Sequence, residues 1–301
     1  MRRPDAAART LRAPAAGGSI IELLHAGCAR LERAGVPDGR RDAEWLLAAA
    51  LGTSPAALHL DGAVPVPSDA RGRFEQWCAR RSRREPLQHI LGTQPFRSIE
   101  VRVDRQVLIP RPETERVVDL CLQVYDAGPI ADVGTGSGAI AIALATERPA
   151  ATVMATDVSA PALALAAESA RRAGAGNVSF AAGDLLDPLG AMLATLRLVV
   201  CNPPYVRTAD IERLEPEVRD WEPLIALDGG ADGLAFYRRL APATARGLCP
   251  GAWVVVEIGA RQREDVEAVF AATAAFDAPT SIADYRGIER GLAFRRGRAC
   301  G

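Results

Sequence analysis

The chain has 301 residues, of which 49% are hydrophobic, and its formal net charge at pH 7 is -1. This length suits one large domain or two of ordinary size, with enough apolar residues for a full core. The balanced charge excludes a bulk electrostatic attraction to nucleic acid or to an anionic membrane, and the apolar stretches end before the ~18 residues that a membrane span needs.

The six cysteines lie far apart, and no two of them form a C-x-x-C pair. This spacing argues against a zinc site and a disulfide framework, and it fits a reducing cytoplasm. Residues 1–18 contain arginines but lack the apolar region of a secretory signal. A disordered tail is the favoured interpretation of these residues, and an organelle transit peptide is the alternative. We expect a cytoplasmic protein.

A small helical bundle is predicted over residues 19–85. Ser19 is the predicted N-cap of the first helix, and Glu22, three residues later, completes the pattern of a capping box. Apolar residues then recur at the spacing of one helix face. Three further helices are predicted, with the approximate ranges 40–51, 55–60 and 68–84.

The pattern changes to strands after residue 85. Residues 86–112 alternate around Ile99, Val101 and Val103, which predicts a β-hairpin linker. Residues 113–301 then alternate strands with helices. The predicted strands are 130–133, 152–156, 178–182, 198–201 and 252–258, with two closing strands between 280 and 296. Repeated strand–helix units with short loops predict an α/β fold with a doubly wound, mostly parallel, seven-stranded sheet.

One connection in this region is unusually long. Residues 206–232 contain prolines and acids and have little periodicity. Such a loop inside a compact domain is typical of a lid or a binding loop, and disorder is the alternative.

A glycine-rich turn follows the first predicted strand of the sheet. Its residues are Gly134, Thr135, Gly136, Ser137 and Gly138. Glycines permit a tight turn and let backbone amides approach a ligand at a helix N-terminus. Together with Ala139 the run also fits the G-x-G-x-x-A form of a dinucleotide fingerprint, so this motif alone leaves a NAD-dependent oxidoreductase open.

Two acidic residues follow the next two strands. Asp157 ends the second strand, where a carboxylate can accept both ribose hydroxyls of an adenosine; a turn or N-cap residue is the alternative. Asp184 follows the third strand after Gly183, and its carboxylate could accept from an adenine amino group. An Asx-type turn is the alternative for Asp184.

The fourth strand ends in Asn202, Pro203, Pro204 and Tyr205. Two prolines stop a strand because neither donates to a ladder. The side-chain oxygen of Asn202 and the carbonyl of the adjoining proline could together accept both N–H groups of a planar amide, while Tyr205 forms an aromatic wall. Such a corner has no role in hydride transfer, so it favours methyl transfer to nitrogen.

Five spaced blocks over about residues 80–297 resemble the release-factor glutamine methyltransferases, the HemK/PrmC family of class-I S-adenosylmethionine-dependent methyltransferases. The blocks are EPLQHILGTQPF, LIPRPETE, GTGSGAIAIALA, NPPY and EPLIALDGGADGLAFYRR. The resemblance implies S-adenosylmethionine as the cofactor. It also implies that the substrate is the glutamine of the GGQ motif in peptide-chain release factors, methylated on its side-chain nitrogen.

The resemblance also implies roles for individual residues. The glycine loop 134–138 would hold the methionine part of the cofactor, Asp157 its ribose, and Asp184 with Leu185 its adenine. Asn202, Pro203, Pro204 and Tyr205 would hold the glutamine amide and so form the catalytic corner.

One position departs from the family, and one block is assigned only a supporting role. Many family members carry an aromatic residue at the position of Leu185, so the resemblance predicts weaker adenine stacking here. Arg111, Pro112 and Glu113 would lie beside the site, with a simple cap and turn as the alternative. The implied domains are 19–85 for substrate recognition and 113–301 for methyl transfer.

Three alternatives stay open at this point. An adenine- or guanine-directed nucleic-acid methyltransferase would use the same corner, but it usually needs a basic surface, and only the arginines within 80–84 suggest one. A solvated helix face is the other interpretation of those arginines. A family member that methylates another amide and a non-catalytic adaptor on the translation apparatus are the remaining alternatives. We expect release factors as partners, without membrane or direct nucleic-acid contact.

Overall fold

The computed structural model describes residues 18–60 and 62–297. The chain divides into two compact units, the first ending at Leu91 and the second beginning at Gly92. Residues 1–17, which form nearly all of the predicted disordered tail, lie outside the described residues. No helix within the described ranges combines the length and apolar character that crossing a bilayer requires.

The N-terminal unit is a bundle of helices, as predicted. Its helices are α1 (Ile20–Arg33), α2 (Gly39–Leu51), α3 (Pro55–Leu60), α4 (Ser68–Arg81) and α5 (Leu87–Leu91). The capping box forms, since the Ser19 hydroxyl accepts from the Glu22 amide and the Glu22 carboxylate accepts from the Ser19 amide at 2.8 Å. Leu31, Leu46 and Phe74 are buried in the core that the helices share.

Two helix predictions in this unit were inaccurate. The helix α4 ends at Arg81 rather than at 84, and Arg84 adopts a φ of 64°, which an α-helix cannot continue through. The helix α5 occupies the start of the segment predicted as a hairpin linker. Its five residues are too few to show a helical period in the sequence, and the buried Ile90 anchors it to the core. The predicted boundaries of the linker, 86–112, stay a prediction.

The arginine cluster of α4 takes part in ion pairs within the helical unit. The Arg80 guanidinium contacts the Glu85 carboxylate at 2.6 Å, and the buried Arg81 contacts Asp42 at 2.7 Å. Burial raises the pKa of Asp42, while the hydrogen bond from Arg81 opposes that shift. These two guanidinium groups are therefore already paired with carboxylates of the bundle, which weakens the interpretation of the cluster as a phosphate-binding surface.

The second unit carries the sheet. Its strands are β1 (Thr93–Phe96), β2 (Ile99–Arg102), β3 (Ile130–Val133), β4 (Val153–Asp157), β5 (Val178–Ala182), β6 (Leu198–Cys201), β7 (Trp253–Glu257), β8 (Thr280–Ala283) and β9 (Glu289–Arg295). Its α-helices are α6 (Pro112–Val124), α7 (Ala139–Glu147), α8 (Ala160–Ala173), α9 (Pro216–Arg219), α10 (Ala235–Gly247) and α11 (Arg263–Ala271). Short 3-10 helices span Asp187–Thr195, Thr208–Arg213 and Leu224–Ala226.

Seven of these strands form one sheet in the order β5-β4-β3-β6-β7-β9-β8. The first five are parallel, and β9 runs antiparallel to both β7 and β8. The predicted doubly wound, mostly parallel, seven-stranded sheet is confirmed, and β1 with β2 forms a separate antiparallel hairpin. The chain leaves β3 in one direction toward β4 and later returns to the other side of β3 with β6. Ligands of open α/β sheets bind at such a reversal of strand order.

Both faces of the sheet are covered, which explains the continuous apolar runs of its central strands. Successive side chains of a strand point to opposite faces. Leu198 and Val200 of β6 pack into the layer that contains α7, whereas Val199 and Cys201 pack into the layer that contains α10. All four residues are fully buried, as expected for a parallel strand between two helical layers.

Candidate active site

The glycine loop connects β3 to α7, and its three glycines have left-handed φ values of 71°, 54° and 83° at Gly134, Gly136 and Gly138. A Cβ on either of the first two would meet no atom of the described residues within 4 Å. A Cβ on Gly138 would lie 2.9 Å from side-chain atoms of Ala166 and of Ile142. The first two glycines therefore keep space open, while the third permits close packing of the helix.

Asp132 of β3 holds the glycine loop through hydrogen bonds of its side chain. Its Oδ2 accepts from the Thr135 hydroxyl at 2.6 Å and from the Ala141 amide at 3.1 Å. Its Oδ1 has no hydrogen-bond partner among the described residues. Burial raises the pKa of Asp132 to about 7, against the opposing effect of these hydrogen bonds. Sequence analysis missed this residue, although an acid within the apolar strand IADV was a usable signal.

Asp157 holds the loop from the neighbouring strand. Its Oδ2 accepts from the Gly136 amide at 2.8 Å, and its Oδ1 accepts from the Ser159 amide at 2.9 Å. Each carboxylate oxygen has a second lone pair, so both can still accept a ribose hydroxyl. The turn role and the ligand role are therefore compatible in this residue.

Asp184 and Leu185 lie after β5, on the same cleft. The Asp184 carboxylate pairs with the Arg239 guanidinium of α10, and both side chains are exposed. Leu185 has a φ of 49°, and its carbonyl accepts from the Thr156 hydroxyl at 3.1 Å. Arg239 was not predicted as a site residue, although it is the last residue of the block EPLIALDGGADGLAFYRR; it lies 55 residues from Asp184 in the chain.

Asn202 and Tyr205 follow β6 and contact different neighbours. The Asn202 amide nitrogen lies 3.4 Å from the hydroxyl oxygen of Thr114. The Tyr205 hydroxyl donates to Oε1 of Glu257 at 3.2 Å, and burial raises the pKa of Tyr205. Glu257 is itself buried, which raises its pKa to about 7. Sequence analysis missed Thr114 and Glu257, although a glutamate within the strand WVVVE was again a usable signal.

A cleft of about 580 Å³ brings most of these residues together. The predicted site residues that line it are Gly134, Thr135, Gly136, Ser137, Asp157, Asp184, Leu185, Asn202, Pro203 and Pro204. Among the described residues, Gly138 and Tyr205 are the two predicted site residues outside this lining. Gly138 packs against α8, and Tyr205 contacts Glu257, so the aromatic wall stays a prediction.

Part of the long connection after β6 lines the cleft. Residues 223–226 line it, and two contacts tie the preceding residues to the segment before α6. The Arg111 guanidinium contacts the buried Glu222 carboxylate at 2.6 Å, and the Arg105 guanidinium lies 3.9 Å from the centroid of the Trp221 ring. The connection therefore has a defined structure beside the cleft, and its role as a lid or a binding loop stays a prediction. Arg111 is also the N-cap residue of α6, which is the alternative interpretation of this block, and its supporting role beside the site stays a prediction.

The site offers hydrogen-bonding groups and space rather than a metal-binding cluster. Within the part of the chain that the structure describes, no three His, Cys, Asp or Glu side chains are grouped as a metal ion would require.

Two family models match the chain. Residues 22–92 match the PrmC N-terminal domain, and residues 115–214 match the methyltransferase small domain. A release factor glutamine methyltransferase of Geobacter sulfurreducens is 44% identical over 268 residues, which cover 89% of this chain and 93% of that relative. The chain belongs to the release factor glutamine methyltransferase family. A second such methyltransferase, from Moorella thermoacetica, is 42% identical over 92% of this chain and 99% of its own length.

Among solved structures, the methyltransferase is similar to the hMettl16 catalytic domain, with a TM-score of 0.54. The match has 15% identity and covers 73% of this chain and 81% of that structure. At this identity the likeness shows the fold alone. The resemblance stated from the five sequence blocks is confirmed, and so is the enzyme class. A nicotinamide-dependent oxidoreductase, which the glycine loop alone would have allowed, is not the family of this chain.

The enzyme is an S-adenosylmethionine-dependent methyltransferase, as predicted. The residues in the cleft fit this cofactor. Gly134 and Gly136 leave open space at the end of the central strand. The Asp157 oxygens keep free lone pairs for ribose hydroxyls.

Proposed function

We propose that this methyltransferase transfers a methyl group to the side-chain amide nitrogen of the glutamine in the GGQ motif of peptide-chain release factors. The names of its relatives support this substrate. The observation that carries the proposal is that Asn202 lines the same cleft as the glycine loop and Asp157. A planar-amide acceptor group therefore lies beside a cradle that fits the methyl donor.

We propose the following roles for the residues that hold the cofactor. The loop 134–138 binds the methionine part, because its open glycines present backbone amides at the N-terminus of α7. Asp157 accepts from the ribose hydroxyls. Asp184 and Leu185 flank the adenine, and Arg239, paired with Asp184, lies at the same end of the cleft.

The amide group of glutamine is a poor nucleophile because its nitrogen lone pair is delocalised. When bound, S-adenosylmethionine supplies an electrophilic methyl group. The Asn202 side-chain oxygen and the Pro203 carbonyl each accept one N–H of the amide, which holds the nitrogen in one orientation. Correct alignment of reactants can save ~7 to 11 kcal/mol of barrier. The nitrogen can lose its proton after it gains the methyl, so the site works by positioning.

We also propose where the partner is selected and where the enzyme acts. The N-terminal helices and the connection 206–232 are the parts that choose the release factor, with residues 19–85 as the recognition domain. The five cysteines that the structure describes are free thiols, which supports a location in the reducing cytoplasm.

The test is mass spectrometry of a purified release factor after incubation with the enzyme and S-adenosylmethionine, with fragment mapping of the product. We expect one added methyl, on the GGQ glutamine. The matched controls are the Asn202→Ala enzyme and a release factor whose GGQ glutamine is replaced by alanine. An unmethylated glutamine, despite measurable cofactor binding, would refute the proposed substrate and direct the search to another amide or to a nucleic-acid base.

A further inference from the structure

The side chain of Asn202 can face the cleft in two ways. Its side-chain oxygen can accept a hydrogen bond from an N–H of a substrate amide. If its NH2 group is turned to the cleft instead, it cannot accept that bond, because an amide NH2 group only donates. Rotation by 180° about the last side-chain bond exchanges the positions of the oxygen and the NH2 group and hardly changes the shape of the side chain. Acceptance of the glutamine amide therefore depends on whatever fixes this orientation.

Thr114 is the neighbour that contacts this amide. It lies in the first turn of α6, is buried, and lines the cleft. The Asn202 Nδ2 donates to its hydroxyl oxygen over a long 3.4 Å. A hydroxyl can also donate, and in that case it would pair with the Asn202 oxygen and turn the NH2 group to the cleft.

Glu257 decides which way the Thr114 hydroxyl points. The strands β6 and β7 are parallel, with Cys201 opposite Val256, so Glu257 leaves the sheet at the same edge as Asn202. Burial raises the pKa of Glu257 to about 7, against the opposing effects of hydrogen bonding by Thr114 and Tyr205 and of the charge of Arg290, so this carboxylate is ionised at pH 8. The Tyr205 hydroxyl donates to its Oε1, while its Oε2 has no hydrogen-bond partner among the described residues and is free to accept. An ionised carboxylate can only accept, so a Thr114 hydroxyl that turns to Glu257 must donate to it, which leaves the hydroxyl oxygen lone pairs for the Asn202 NH2 group.

We propose that Thr114 is a positioning residue for methyl transfer, whose hydroxyl, directed by the Glu257 carboxylate, keeps the Asn202 oxygen turned to the substrate amide. The inference rests on the proposed function of Asn202 and deepens it. It assigns a role to two buried residues, Glu257 and Thr114, for which no direct contact with the substrate is proposed.

The first test compares Thr114→Val, which keeps the shape but removes the hydroxyl, with Thr114→Ser, which keeps the hydroxyl. At pH 8, with release factor and S-adenosylmethionine as substrates, Thr114→Val should lower kcat about tenfold, the effect of one lost hydrogen bond. Cofactor affinity, measured by calorimetry, should stay at the wild-type value, and Thr114→Ser should restore most of kcat. A valine variant with wild-type kcat, or a serine variant as slow as the valine variant, would overturn the proposal.

The second test needs no substrate, so it separates this inference from the proposed function. The chain contains two asparagines, Asn177 and Asn202, and a [15N]asparagine-labelled sample therefore shows two side-chain NH2 pairs by NMR. The Asn177 pair donates to backbone carbonyls, including that of Ala151 at 2.9 Å, and reports whether a variant is folded. In Thr114→Val the Asn202 pair should shift while the Asn177 pair stays, and Thr114→Ser should return the Asn202 pair to its wild-type position.

An Asn202 pair that is unchanged in Thr114→Val would overturn the positioning role, whatever the substrate proves to be. If the valine variant displaces the Asn177 pair as well, Thr114→Ala removes the same hydroxyl without a branched side chain, and the same two outcomes apply to it. A wild-type enzyme that leaves the release factor unmethylated would refute the proposed function, while the NMR comparison would still decide the role of Thr114.

Discussion

Alanine substitutions at Gly136 and at Gly138 separate the ligand-binding role of the glycine loop from its packing role. Both residues have a left-handed φ, 54° and 83°. An L-residue in that region costs roughly 1–2 kcal/mol, so each substitution carries a similar backbone penalty. The difference between the two variants therefore comes from what the new Cβ contacts.

At Gly138 the new Cβ would lie 2.9 Å from the Ala166 Cβ and from the Ile142 Cδ1, with the Ala166 Cα at 3.3 Å. Overpacking of this kind typically costs about 1–3 kcal/mol. With the backbone penalty, Gly138→Ala should lower the free energy of unfolding by roughly 2–5 kcal/mol. At Gly136 the Cβ meets no atom of the described residues within 4 Å, so only the backbone penalty applies.

Urea denaturation measures the difference in stability between the two variants. Calorimetric titration with S-adenosylmethionine measures the difference in their cofactor affinity. Gly136→Ala should lose only the roughly 1–2 kcal/mol of the backbone penalty in stability, but it should lose cofactor affinity, because its Cβ occupies the space proposed for the methionine part. Gly138→Ala should be the less stable variant. If Gly136→Ala bound the cofactor as tightly as the wild type, the assignment of the loop would be wrong. Equal stability of the two variants would refute the packing argument.

Three further substitutions test other parts of the site. Asn202→Ala should abolish most turnover and leave the cofactor dissociation constant near that of the wild type, since this side chain is proposed to contact the substrate amide; methylation at the wild-type rate would contradict that role. Asp157→Ala should chiefly weaken cofactor binding in a calorimetric titration, because it removes the ribose acceptor and the bond to the Gly136 amide. Asp132→Asn should change how stability depends on pH. The folded pKa of Asp132, about 7, lies above its ordinary value of 3.8, so between these two pH values the native protein binds more protons than the unfolded chain. The contribution of this carboxyl is fully present below pH 3.8 and is lost as the pH rises through about 7, a change of at most ~4 kcal/mol. Urea midpoints measured from pH 4 to pH 8 should fall less steeply in the asparagine variant than in the wild type, and equal slopes would show that Asp132 is not the group responsible.

The central strands of the sheet were predictable because a parallel strand covered on both faces is a continuous apolar run. The fully buried strands β3 and β6 have the predicted bounds, and β6 ends where the Asn-Pro-Pro corner begins. The edge strand β5 also has its predicted bounds, although none of its five residues is buried. The loops at their carboxyl ends were predictable for a different reason, since glycine, proline and aspartate favour turns through their own local chemistry. The short helix α5 was not predictable, because five residues show less than two turns of helical period.

The family of the chain and the residues at each strand end thus followed from the sequence alone, through motifs that are local in the chain. The tertiary structure alone revealed which distant side chains meet behind those motifs. Thr114 and Asn202 are 88 residues apart, and Tyr205 and Glu257 are 52 apart. Such pairs depend on the order and register of the strands, which bring their carboxyl ends to one edge of the sheet. A local sequence pattern does not specify the order of the strands in the sheet. These contacts can therefore be identified only in the folded chain.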